Sequence, residues 1–228
     1  MFSTGPTEYD LRFSLFKIPV RVSIWFWLLA AFLGFDLLRS SFELFVVWML
    51  VVFVSILVHE FGHALVATAL GYSVRVLLYQ FGGLAMFEPD SRYSRSKSIA
   101  ISLAGPGAGL TLYFISKLGA TYLPSVQNVL SPTALFLLLN ALIFSMSVNL
   151  VWSLLNLLPI MPLDGGNVFR EICTHISPRN GVRFAAQTGA VLAGVLCAYC
   201  LTNGMFYNAV LVGSLCAQNI QIAQQRRW

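Results

Sequence analysis

The chain has 228 residues, 57% of them hydrophobic and only 10% charged, against about 45–50% and about 25% in an ordinary soluble domain. This balance excludes a water-soluble globular protein: so much apolar surface has nowhere to hide except in lipid. The net charge of +5 is better explained by membrane topology than by nucleic acid, so the bilayer is an expected partner and nucleic acid is not.

Residues 1–21 lack the apolar core and small-residue cleavage site of a removed signal peptide. Six apolar stretches then follow that are long enough to be read as membrane spans: 22–38, 42–70, 99–118, 134–158, 184–201 and 205–222. Asn203-Gly204 supplies a tight turn between the last two. The fold class expected is an all-α polytopic membrane protein, one integral-membrane domain over 1–228.

The basic residues test that count. Six spans place Arg12, Lys17, Arg21, Arg75, Arg92, Arg95, Lys97, Arg170, Arg179, Arg183, Arg226 and Arg227 on one side, and only Arg39 and Lys117 on the other. The positive-inside rule makes the rich side cytoplasmic, with both termini there.

Between the second and third spans, residues 74–81 are β-branched and aromatic. Gly82-Gly83 and a second short apolar run, 84–87, follow. Two such runs around a glycine pair predict a small β-hairpin. An exposed strand edge there could take an extended peptide by strand addition.

The second span carries His59-Glu60-Phe61-Gly62-His63. Residues four apart share a helix face, so both imidazoles can reach one metal ion, with Glu60 beside it as a general base. The motif follows residues 45–58, which contain no charge. Ionisable groups in such a setting cost several kcal/mol unless partnered, which marks them as functional.

Catalytic zinc usually takes three protein ligands. Glu88, Asp90, Glu171 and His175 are open candidates for the third, but the best is Asp164, in 156–166, NLLPIMPLDGG. Two prolines there prevent a continuous helix, and non-helical backbone at membrane depth is tolerated only where it is enclosed by protein or lines a wet cavity. Span direction puts Asp164 at a depth similar to the two histidines.

The pair HEFGH and NLLPIMPLDGG resembles the site-2 protease family of intramembrane metalloproteases. Ala104-Gly-Pro-Gly-Ala-Gly109 is similar to the family's glycine-rich motif, and Phe81-Gly82-Gly83 to its substrate-binding edge strand. The resemblance covers residues from about 55 to 170. It implies a three-helix catalytic core within about 42–170, with one Zn2+ per chain on His59, His63 and Asp164, and with Glu60 catalytic. It also implies substrate contacts at Asn156, Phe81, Gly82 and Gly83. The implied reaction is hydrolysis of peptide bonds in or next to transmembrane segments of a membrane-protein substrate, such as a tethered transcription factor or an anti-sigma factor. The six spans leave little room for a soluble regulatory domain.

Two other readings compete. A metal transporter would need a polar path across several spans. A membrane-anchored zinc protease acting on soluble proteins would use Glu88 or Glu171 as its third ligand. Ser145, Asn149, Ser153 and Asn156 share one helix face, which reads as helix packing or a wet interior. Cys197 and Cys200 form a lone C-x-x-C in an apolar run and read as packing residues.

Overall fold

The computed structural model describes residues 7–80, 82–91, 93–126 and 129–225. Phe81 therefore lies outside the described residues, as do Arg92, Arg226 and Arg227 among the topology-marking cations. The chain divides into two compact units: 1–91 with 104–153, and 92–103 with 154–228.

The first unit opens on an antiparallel hairpin, β1 (Leu11–Leu15) and β2 (Ile18–Val22). Its two-residue turn is Phe16-Lys17, and both residues have positive φ, 51° and 65°. That is the backbone a tight hairpin demands, supplied here without glycine. β2 pairs in parallel with β3 (Val74–Tyr79), which pairs antiparallel with β4 (Gly82–Phe87). The hairpin expected at 74–87 is present, but Gly82 and Gly83 pair with Tyr79 and Leu78 within β4 rather than forming its turn. Among the described residues it is half of a four-stranded sheet ordered β1-β2-β3-β4. Its core is aliphatic: Val20, Val22, Val76, Leu77 and Leu78 are all buried.

The first expected span is not one helix. Val22 belongs to the sheet, and the rest breaks at Gly34 into α1 (Ile24–Leu33) and α2 (Phe35–Ser40). A Cβ on Gly34 would run into the Trp48 indole, and that indole donates to the Ala30 C=O at 3.0 Å. Long helices α3 (Phe42–Ala69) and α5 (Pro132–Asn156) follow the expected bounds closely, and α4 (Arg95–Tyr122) exceeds them at both ends. The sheet packs along α3 through β3 and β4.

α3 is inside-out by the standards of a soluble helix. Leu50, Val54 and Leu65 are 56%, 45% and 46% exposed, while Ser55, His59, Glu60 and His63 are 2–7% exposed. Apolar groups outside and polar groups inside is the arrangement lipid selects, since hydrocarbon cannot hydrogen-bond a polar side chain. Asn149 of α5 donates to Ser55 Oγ of α3 at 2.9 Å, and Ser145 of α5 meets Ser116 of α4 at 2.7 Å. The serine and asparagine face read from the sequence thus holds helices together.

The second unit contains α6 (Asp164–Ile176), α7 (Gly181–Thr202) and α8 (Phe206–Gln224). The turn between α7 and α8 falls at Asn203-Gly204 as expected, with Gly204 at φ 70°. Helices α7 and α8 pack as an antiparallel pair. All four cysteines are free thiols; Cys197 and Cys216 hydrogen-bond across this pair to the Ala209 and Ala190 carbonyls.

Among the described residues, four helices are long and apolar enough to cross a membrane: Phe42–Ala69, Arg95–Ser125, Pro132–Asn156 and Gly181–Thr202. Ile24–Leu33 is apolar but shorter. α8 has the length but carries Asn208, Gln218, Asn219, Gln221 and Gln224, which dilute its apolar content.

Candidate metal centre

Residues Val52 to Ala67 form the most buried part of α3, and the two histidines fall within it, one turn apart. Their Nε2 atoms approach to 3.3 Å, with the rings edge-to-face and their centroids 5.0 Å apart. Two nitrogens each about 2.0–2.1 Å from a tetrahedral zinc would stand roughly 3.3 Å apart. The histidine pair fits the metal on geometry alone.

Small residues create the space. A Cβ on Gly105, in the neighbouring helix α4, would overlap the His63 imidazole at Nε2. A Cβ on Gly62 would strike the Ala104 backbone, so α3 and α4 touch closely at this level. One on Gly109 would strike Ser153 Oγ of α5, a fully buried hydroxyl. The glycine-rich run 104–109 thus serves close helix approach, and Gly105 is also the floor under His63.

Glu60 is 4% exposed and lies against the sheet, where a Cβ on Gly83 of β4 would overlap its side chain. Burial pushes the Tyr79 phenol of β3 above its ordinary pKa, and the Glu60 charge pushes it the same way. Gly82 (φ 117°) opens β4 over the Trp152 indole, which stands edge-on to His59 with centroids 6.4 Å apart. His59, Glu60 and His63 thus come together with Gly82 and Gly83 in the first unit.

Asp164 belongs to the second unit, as the first residue of α6. Its carboxylate sits where the exposed N–H groups of a helix start favour negative charge. Cβ atoms on Gly165 and Gly166 would hit the Leu157 and Ile160 backbones, so this glycine pair lets the helix start fold onto the preceding turn. Asn156 closes α5 and is half-buried.

The other acids and the third histidine have different surroundings. Glu88 and Asp90 are exposed just past β4. Glu171 accepts from Ser98 at 3.2 Å and from Arg170 at 3.0 Å, and His175 meets Arg95 at 2.8 Å.

A buried histidine pair with an adjacent glutamate, on a helix that turns Leu50, Val54 and Leu65 outward, outlines a candidate metal site of a membrane protein. The chain belongs to peptidase family M50, whose family model matches residues 47–198. It is 34% identical over 219 residues to a Synechocystis sp. protein named as a zinc metalloprotease, covering 91% of this chain and 52% of that protein. It is 27% identical to a zinc metalloprotease of Methanocaldococcus jannaschii over 83% of this chain and 53% of that one. It is 32% identical to stage IV sporulation protein FB of Bacillus subtilis over 66% of this chain and 46% of that one. The chain spans about half the length of these curated relatives. In fold it matches the solved site-2 protease from Methanocaldococcus jannaschii with a TM-score of 0.64, over 96% of this chain and 98% of that one, at 22% identity. The kinship read from the paired motifs holds.

Proposed function

We propose that this chain is an intramembrane zinc endopeptidase that cleaves peptide bonds in or next to transmembrane segments of membrane-protein substrates. The observation that carries the reading is the buried His59–His63 pair with Nε2 atoms 3.3 Å apart and Glu60 buried beside it. Asp164 is the third ligand in this reading. Two imidazoles and one carboxylate are a donor set that could hold a metal ion and match the three-ligand pattern of catalytic zinc. When bound, zinc supplies Lewis acidity to the scissile carbonyl and to the attacking water.

The chain's own residues then do the following. A substrate helix hides its carbonyls in its own hydrogen bonds, so it must be extended before it can be cut. β4 is an edge strand of the sheet among the described residues, and an incoming segment can pair along it. Gly83 lies on that strand against Glu60, which brings the paired segment past the carboxylate. Glu60 takes a proton from the attacking water as its oxygen bonds to the carbonyl carbon. It then delivers the proton to the amine that leaves when the C–N bond breaks. Asn156, Phe81, Gly82 and Gly83 complete the substrate contacts.

The proposed topology has six spans, α1–α2 and α8 serving as the two beyond the four long apolar helices. Both termini and the active-site side face the cytoplasm. The catalytic core is about 42–170 within a single protease domain, with one zinc per chain. Substrates of the tethered-regulator kind, a transcription factor or an anti-sigma factor, suit such a site.

The experiment is Glu60→Gln in purified, zinc-loaded protein. Hydrolysis of a reconstituted transmembrane peptide should fall by at least about 100-fold with the zinc content unchanged. Wild-type turnover in that variant would overturn the reading.

A further inference from the structure

Asp164 follows a stretch that neither helix nor sheet holds, so something else must fix its position. Most backbone groups of that stretch close locally. Leu163 N–H donates to the Ile160 C=O at 2.9 Å, Asn167 N–H to the Leu163 C=O at 2.9 Å, and Asn167 Nδ2 to the Pro162 C=O at 3.2 Å. Met161, three residues before Asp164 and 5% exposed, is satisfied from 58 residues away. Its N–H donates to Asn219 Oδ1 at 3.3 Å, and its C=O accepts from Asn219 Nδ2 at 2.6 Å.

Asn219 sits in α8 and is completely buried. Its Nδ2 also donates to the Leu215 C=O of its own helix at 2.8 Å, which ties the carboxamide to α8. Space for it is reserved, since a Cβ on Gly189 of α7 would overlap Asn219 Oδ1. A carboxamide is the one side-chain group that presents a donor and an acceptor side by side, as a peptide does. Burying it costs free energy unless both are used, and an aliphatic residue would fill the space more cheaply. Both of its groups are spent on Met161, the backbone that sets where α6 starts.

We propose that Asn219 is the positioning residue for Asp164. Its carboxamide pins Met161 to α8, fixes the start of α6, and thereby holds the Asp164 carboxylate at the height the metal requires. This rests on the reading of Asp164 as the third ligand. Groups that orient a ligand typically change metal affinity by about 10–100-fold when removed.

The test measures zinc affinity by chelator competition, and the visible spectrum of the Co2+-substituted full chain in detergent. The variants are Asn219→Leu, Asn219→Asp, Gly189→Ala and Asp164→Ala, with exposed Gln218→Ala as control. Asn219→Leu removes both hydrogen bonds, and Asn219→Asp keeps the acceptor but loses the donor. Gly189→Ala displaces an intact carboxamide. Each should hold zinc about 10–100-fold more weakly with an altered cobalt spectrum, while helix content and the Gln218→Ala protein match wild type. Should Asn219→Leu fail to fold, Asn219→Asp and Gly189→Ala carry the test. Folded variants with zinc affinity within twofold of wild type and an unchanged spectrum overturn the proposal, provided Asp164→Ala loses zinc. If Asp164→Ala itself binds zinc as wild type does, the ligand reading is what fails.

Discussion

A methyl group on Gly105 would overlap the His63 imidazole, and one on Gly83 would overlap the Glu60 side chain. The two substitutions should therefore fail differently. Gly105→Ala is expected to weaken zinc binding by about 10–100-fold, because it displaces the imidazole proposed as a ligand; equilibrium metal titration reads it. Gly83→Ala is expected to keep zinc and lose about 100-fold in turnover, the scale of an ångström-sized misplacement of a reacting group. At this scale the sequence was informative about the histidines and Glu60, because helix geometry alone puts residues four apart on one face. It flagged Gly105 within a glycine-rich run but not its contact with His63, and it was silent about Asn219. Their importance lies in contacts between residues far apart in the chain, Gly105 to His63 and Asn219 to Met161, which no local pattern encodes.

Among the elements, the sheet divides into a half that was legible and a half that was not. Gly82-Gly83 announces the β3–β4 hairpin, although both glycines belong to β4 and not to the turn. Phe16-Lys17 gives no such signal for β1–β2, since neither residue favours the left-handed backbone both adopt. Lys17→Gly should relieve roughly 1–2 kcal/mol of that strain, seen as slower hydrogen exchange in β1 and β2. The base of the same hairpin is anchored by Asp10. Burial opposes ionisation of its carboxyl, but the Thr7 hydroxyl (2.6 Å), the Thr7 N–H (3.0 Å) and Arg21 (3.8 Å) outweigh it and hold the pKa below the ordinary 3.8. A depressed pKa contributes stability above the ordinary value and loses it as pH falls through the folded one. At neutral pH Asp10→Asn should therefore loosen the hairpin, and limited proteolysis of the first 22 residues would show it. In α5, Asn149→Ala leaves Ser55 and the Ser145 carbonyl short of a donor. It should cost about 1 kcal/mol in a detergent unfolding titration.

For the whole molecule, composition alone separated lipid from water as the solvent, and α3 shows why, with Leu50 and Leu65 outside and His59, Glu60 and His63 inside. The number of spans was less legible. Hydropathy sees residues 22–38 as one run, whereas Gly34, pressed against Trp48, divides it into two short helices. The proposed orientation predicts that a cysteine at Glu88 in a cysteine-free background is labelled from the cytoplasmic side, and one at Lys117 from the opposite side; the reverse pattern would invert the topology.

The proposed function depends on two imidazoles and one carboxylate of this chain holding a single catalytic zinc. X-ray absorption at the zinc edge of the purified, loaded protein addresses it directly. The account predicts one zinc per chain, with nitrogen and oxygen neighbours at about 2.0–2.2 Å and imidazole scattering that falls in His59→Ala. A sulfur shell at about 2.3 Å, or a spectrum that His59→Ala leaves unchanged, would contradict it.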